Sequence, residues 1–173
     1  MIQPDSINLE NPLLQSALDA LVMKVKKKLD CDSKNVKANL YKLLLYEKGG
    51  HFKPHRDSEK ENGQFATLII QLPSIFKGNH LIVRHAGSTK TVQLDRPESR
   101  FEMLYAAHYT DCEHEVTPLE SGYRLALVYN LVWTATSEAP SVGQDEQTIL
   151  KLSSLLKEVL MLSSLSRLEF LDF

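Results

Sequence analysis

The sequence predicts a mainly β fold, an antiparallel sandwich or barrel with a helix at either end. Three observations lead there. Seven short runs rich in Val, Ile, Leu, Tyr and Phe follow one another at 40–47, 65–72, 80–85, 90–94, 101–106, 113–116 and 123–133. Turn residues punctuate them: Gly49-Gly50, Asn62-Gly63, Gly78-Asn79, Gly87-Ser88, Arg96-Pro97 and Ser121-Gly122. Helical spacing appears only outside this block, so a βαβ sheet is disfavoured and the strands pair antiparallel.

The elements follow in order. Asn11-Pro12 opens a helix, with Asn as cap and Pro at the first helical position. Leu14, Leu18, Leu21, Val22, Val25 and Leu29 then recur at helical intervals, predicting a helix over 12–29 whose apolar stripe covers a sheet. The strands occupy 36–134. Residues 134–144 are rich in Ser, Thr, Ala, Pro and Gly and read as a loop. Ile149, Leu152, Leu155, Leu156, Val159 and Leu160 predict a second helix over 145–162. At 173 residues the chain fits one domain, 1–173, with its core at 36–134. It ends abruptly on a mixed apolar and acidic stretch, which reads as a piece of a longer protein.

Charge narrows the function. A net charge of −2 gives no basic footprint, so nucleic acid is not an expected partner. No apolar run approaches the ~20 residues that span a bilayer, so no membrane association is expected. The first residues lack a basic and apolar leader pattern, from which a cytoplasmic or nuclear location is expected. The two cysteines, Cys31 and Cys112, read as free thiols.

The chemistry is carried by His55-Arg56-Asp57, His114 and Arg124. Residues i and i+2 of a strand share a face, so His55 and Asp57 can aim at one ion while Arg56 turns away. Two imidazoles and one carboxylate with open positions are the donor set of non-haem iron(II) oxygenases. His51, His80, His85 and His108 are alternatives to His114, with His108 the nearest rival. His114 is preferred because Glu113-His114-Glu115-Val116 reads as a strand with His and Val on one face. Thr117 to Gly122 reads as a turn, so 113–116 and 123–133 form a hairpin that sets Arg124 nearly opposite His114, about 7–8 Å away. Arginine suits the far carboxylate of a diacid chelated at the metal, because its planar fork binds carboxylate in bidentate fashion. An Arg124 flanked by Tyr123, Leu125, Ala126 and Leu127 needs a partner if buried.

The segment Tyr46-Glu47-Lys48-Gly49-Gly50-His51-Phe52-Lys53-Pro54-His55-Arg56-Asp57 resembles the catalytic core of the prolyl 4-hydroxylase-like, iron(II)- and 2-oxoglutarate-dependent dioxygenases. Phe65 to Leu72, Glu113 to Val116 and Gly122 to Leu127 continue the resemblance in order and spacing, over about 42–133. The resemblance implies a double-stranded β-helix, or jelly roll. It implies catalysis and metal binding by His55, Asp57 and His114, and binding of the distal 2-oxoglutarate carboxylate by Arg124 and Tyr46. Thr67 matches a position lining the cosubstrate pocket. The cofactors implied are iron(II), 2-oxoglutarate and O2, with ascorbate as reductant, and the products are succinate, CO2 and a hydroxylated substrate.

Two departures bear on the substrate. Prolyl 4-hydroxylases usually carry lysine where this chain has Arg124, and their Gly-Gly-Glu-Thr segment is here Gly78-Asn79-His80-Leu81. The resemblance points to a prolyl residue in a protein or peptide; a small molecule stays open. Two other readings keep the fold and change the role. A cupin-like metal protein or isomerase would need the metal ligands but neither Arg124 nor Tyr46. A non-catalytic interaction domain would need none of the five.

Overall fold

The computed structural model describes residues 1–29, 31, 35–134 and 170–172. The helix expected at 145–162 lies outside these residues. Helix α1 spans Leu14–Lys28. Among the described residues eleven strands follow: β1 Val36–Tyr46, β2 Phe52–His55, β3 Gln64–Gln71, β4 Phe76–Gly78, β5 Leu81–His85, β6 Ser88–Val92, β7 Leu104–Tyr109, β8 Glu113–Val116, β9 Leu119–Gly122, β10 Arg124–Trp133 and β11 Phe170–Asp172. They form a five-stranded sheet ordered β1-β10-β3-β7-β11, a four-stranded sheet β2-β8-β5-β6 and a two-stranded sheet β4-β9. Every pairing is antiparallel. The two larger sheets face each other as a double-stranded β-helix, the architecture the resemblance implies.

Alternation along the strands divides the core in two. Ala66, Leu68, Ile70, Tyr105, Ala107, Leu127, Tyr129 and Leu131 point to one side of the larger sheet. Leu18, Leu21, Val22, Val25 and Leu29 of α1 cover them, as the apolar stripe requires. Leu44, Leu104, Ala106 and Val128 point the other way and meet Leu81, Val83, Val92 and Val116 of the second sheet. The functional side chains share this inner layer.

Four expectations need correction. The helix begins two residues later than Pro12, because the Asn11 side chain accepts from the Leu13 amide and closes a turn ahead of the helix. The segment expected at 101–106 starts at Leu104, since a 3-10 turn at Pro97–Arg100 precedes it and leaves Phe101 84% exposed. Tyr123, the first residue of the run expected at 123–133, lies just ahead of β10 and is also exposed. The hairpin between 113–116 and 123–133 does not form. Residues 119–122 are strand β9, which pairs with β4 and carries the chain to the opposite sheet. Arg124 therefore pairs with Tyr46 across β1 and β10, not with His114.

Gly122 marks the crossing. Its φ is +80°, and a Cβ there would stand 2.1 Å from the Ile75 carbonyl oxygen. Gly122→Ala should therefore destabilise the fold by about 1–3 kcal/mol, from left-handed backbone strain and the clash. A lowered urea midpoint checks this; an unchanged one contradicts it.

Candidate metal and cosubstrate site

Strands β2 and β8 pair so that His55 faces His114 directly, with ring centroids 4.3 Å apart. Asp57 lies just past the end of β2, in irregular chain rather than in the strand itself. One ligand atom from each of His55, Asp57 and His114 falls within 4.8 Å of the other two. His114 is buried, Asp57 half-buried and His55 exposed, so the cluster sits at a mouth between the sheets.

Local backbone prepares both imidazoles. His55 Nδ1 lies 2.7 Å from the Lys53 carbonyl oxygen, and His114 Nδ1 lies 3.2 Å from that of Cys112. A carbonyl oxygen only accepts, so each Nδ1 carries the hydrogen and each Nε2 keeps a lone pair for a metal. Thr67 on β3 donates its hydroxyl to Asp57 Oδ2 at 2.6 Å. Thr67 thus holds the carboxylate in place, and it also lines a cavity of about 340 Å³ together with Lys42, His55 and Asp57.

Electrostatics favour the same state. Burial alone would raise the Asp57 pKa, but the Thr67 hydrogen bond and the three nearby histidines outweigh it and hold it below its ordinary value. Burial and the adjacent His108 push His114 down to about 4, against the pull of Asp57. At neutral pH His114 is therefore neutral and Asp57 ionised, the forms that bind metal.

Arg124 is 1% exposed. Its guanidinium donates to Gln71 Oε1 at 3.3 Å and to Asn79 Oδ1 at 2.7 Å, and its Cζ stands 5.1 Å from the Tyr46 ring centroid. Burial lowers its pKa. Among the described residues no carboxylate pairs with it, so a buried cation is held by neutral amides alone, a setting that suits an incoming carboxylate. Burial raises the Tyr46 pKa, which keeps its hydroxyl a donor.

Asn79 escaped the sequence reading, which took it as turn punctuation. It is fully buried at φ +58°, and its amide donates to the Gly50 and Thr117 carbonyls while accepting from Arg124. Gln71 and Lys42 were missed as well. The one available signal was Gly78-Asn79, a pair suited to a left-handed turn. Among the rival histidines, His108 is fully buried, its ring 4.2 Å from that of His114, with Nδ1 on the Tyr109 carbonyl. It adjoins the triad without entering the cluster. His51 turns back to the Gly49 carbonyl and His80 lies 3.6 Å from Asp95, and neither enters the cluster.

Donor set, buried guanidinium and jelly roll together define the class of metal-dependent oxygenases that use a dicarboxylate cosubstrate. The family model for the 2OG-Fe(II) oxygenase superfamily matches residues 41–132, and the chain belongs to that superfamily. Its members use iron(II), 2-oxoglutarate and O2. No curated protein sequence matches the chain. Among solved structures, a Pseudomonas putida prolyl-4-hydroxylase superposes with a TM-score of 0.53 at 18% identity, covering 78% of this chain and 70% of its own. A 2OG-Fe(II) oxygenase family oxidoreductase from Burkholderia pseudomallei gives 0.51 at 16% identity, covering 73% and 61%. AviO1 from Streptomyces viridochromogenes gives 0.51 at 17% identity, covering 77% and 66%. The chain thus spans under two thirds of the Burkholderia protein. At these identities the likeness is one of fold.

Two predictions follow from the geometry. Thr67→Val keeps the shape but frees Asp57, so iron(II) or Mn(II) affinity should fall by about 10–100-fold; calorimetric titration reads it, and an unchanged affinity contradicts the role. The second concerns pH in metal-free protein. His114 has a folded pKa of about 4, below the ordinary 6.5. Between those values the unfolded chain binds more protons, so stability should fall as pH drops through that window. Asp57, depressed below 3.8, adds a further loss only at lower pH. Urea unfolding with chelator at pH about 7 and about 4.5 measures this, and His114→Phe should flatten part of the slope.

Proposed function

We propose that the protein is an iron(II)- and 2-oxoglutarate-dependent dioxygenase that hydroxylates a C–H bond, with a prolyl residue of a protein or peptide as substrate. The observation that carries this reading is the pairing of a His55–Asp57–His114 ligand cluster with a buried Arg124 whose partners among the described residues are neutral. The residues fit the group: His55 and His114 would hold iron(II) through Nε2, and Asp57 through a carboxylate oxygen.

When bound, iron(II) supplies the redox chemistry that couples O2 to decarboxylation of 2-oxoglutarate, giving succinate, CO2 and a hydroxylated substrate. The protein's part is positioning. Thr67 fixes Asp57, and the Lys53 and Cys112 carbonyls fix the two rings. Arg124 takes the distal carboxylate of 2-oxoglutarate, with Tyr46 as a second donor beside it. Asn79 and Gln71 aim the guanidinium. The apolar inner layer keeps bulk water from that ion pair, which strengthens it. Ascorbate would serve as the external reductant. The superposition on a prolyl-4-hydroxylase supports the choice of substrate. Arg124 weighs against a cupin-like role, which has no use for it.

Anaerobic addition of iron(II) and 2-oxoglutarate should produce a weak visible charge-transfer band, and air should then yield succinate. Arg124→Ala should keep metal binding and lose about 2–5 kcal/mol of 2-oxoglutarate affinity, about 30-fold or more. Absence of both band and succinate overturns the activity. A one-oxygen mass gain on a proline-containing peptide tests the substrate.

A further inference from the structure

A second group of ligand types stands on the same sheet face. Alternation places it there. Val83 and His114 pair across β5 and β8 and both point inward, at 1% and 6% exposure. Arg84 points outward, bonding Glu115 and reaching Glu113. Moving two residues from each inward position, away from the pair's centre, brings up His85 and Cys112 on the inner face. Ala86 and Gly87, at φ 47° and 81°, turn the β5–β6 hairpin immediately after His85. Asp111 follows in the β7–β8 turn, and Cys112 Sγ lies 3.9 Å from its Oδ1. His85, Asp111 and Cys112 each offer a ligand atom within 4.8 Å of the others.

We propose that His85, Asp111 and Cys112 form a second metal site, separate from the His55–Asp57–His114 cluster, that takes a zinc-class divalent cation. Thiolate, imidazole and carboxylate together suit a borderline-soft ion, and three protein ligands leave a fourth position for water. The chemistry differs from that of the iron cluster, which holds no sulfur. Asp111 is exposed and gives the ion a path in, while Cys112 is buried and supplies the anchor. On binding, the metal–sulfur bond replaces the S–H bond and the proton leaves to solvent. The cation would clip the β5–β6 hairpin to the turn that leads into His114, two residues on from Cys112. This site stands independently of the proposed activity.

Cobalt(II) is the probe, added to the chelator-treated full chain under a non-thiol reductant. A thiolate-to-cobalt charge-transfer band in the near ultraviolet separates this site from the iron cluster, because His55, Asp57 and His114 contain no thiol, and the cysteine variants then decide between Cys112 and Cys31. The band should form in the unaltered chain and, in the His55→Ala/Asp57→Ala variant that removes the competing cluster, persist and saturate at one equivalent. It should vanish in Cys112→Ser and be displaced by zinc(II). His85→Ala and Asp111→Asn should each weaken binding by about tenfold or more. Circular dichroism confirms that each variant folds, and a Cys112→Ala variant repeats the test if Cys112→Ser does not. No band at excess cobalt overturns the site. So does a band that survives loss of Cys112, which would assign it to Cys31. A band indifferent to both His85→Ala and Asp111→Asn would leave a lone thiol and overturn the three-ligand site.

Discussion

A guanidinium shut away from water with no carboxylate beside it among the described residues is the constraint around which this molecule is arranged. Among the described residues Arg124 donates to Gln71 and Asn79 and is backed by the Tyr46 ring. Asn79 does more than accept from it. The same side chain donates to Gly50, two residues before β2, and to Thr117, the residue after β8. Those two strands carry His55 and His114. One buried amide thus ties the cation to both histidine-bearing strands, and a satisfied polar network of this kind rigidifies what it connects.

Protonation at the centre is set by folding. Two backbone carbonyls, each two residues before its histidine, take the Nδ1 hydrogens and leave each Nε2 its lone pair, the His114 Nε2 standing 3.9 Å from Asp57 Oδ1. Thr67 and the surrounding imidazoles keep Asp57 ionised while burial keeps His114 neutral. None of these devices needs a charged partner at long range. They follow from strand geometry and from a hydroxyl placed opposite a carboxylate.

The sequence carried the chemistry further than the topology. Residue types and spacing at His55, Asp57, His114 and Arg124 were enough to suggest the donor set, and apolar periodicity was enough for α1. The route between the sheets was not legible. Thr117 to Gly122 has the composition of a turn, yet 119–122 finds its partner in β4, forty residues back, which local pattern cannot reveal. Short strands such as β2 and β4 gave no alternation to detect. Thr67 was visible as a pocket residue, while its bond to Asp57 depends on where β3 passes the end of β2. Asn79 was hidden because its importance comes entirely from partners distant in the chain.

Trp133, the chain's single tryptophan, stacks on Phe65 with ring centroids 3.7 Å apart and planes 12° from parallel. Its amide donates to Gly63, just ahead of β3. The pair closes the end of the β3–β10 ladder near Thr67 and Asn130. The protein therefore contains its own optical reporter. Because one indole emits and its neighbour belongs to the adjoining strand, fluorescence follows the unzipping of that ladder without a label.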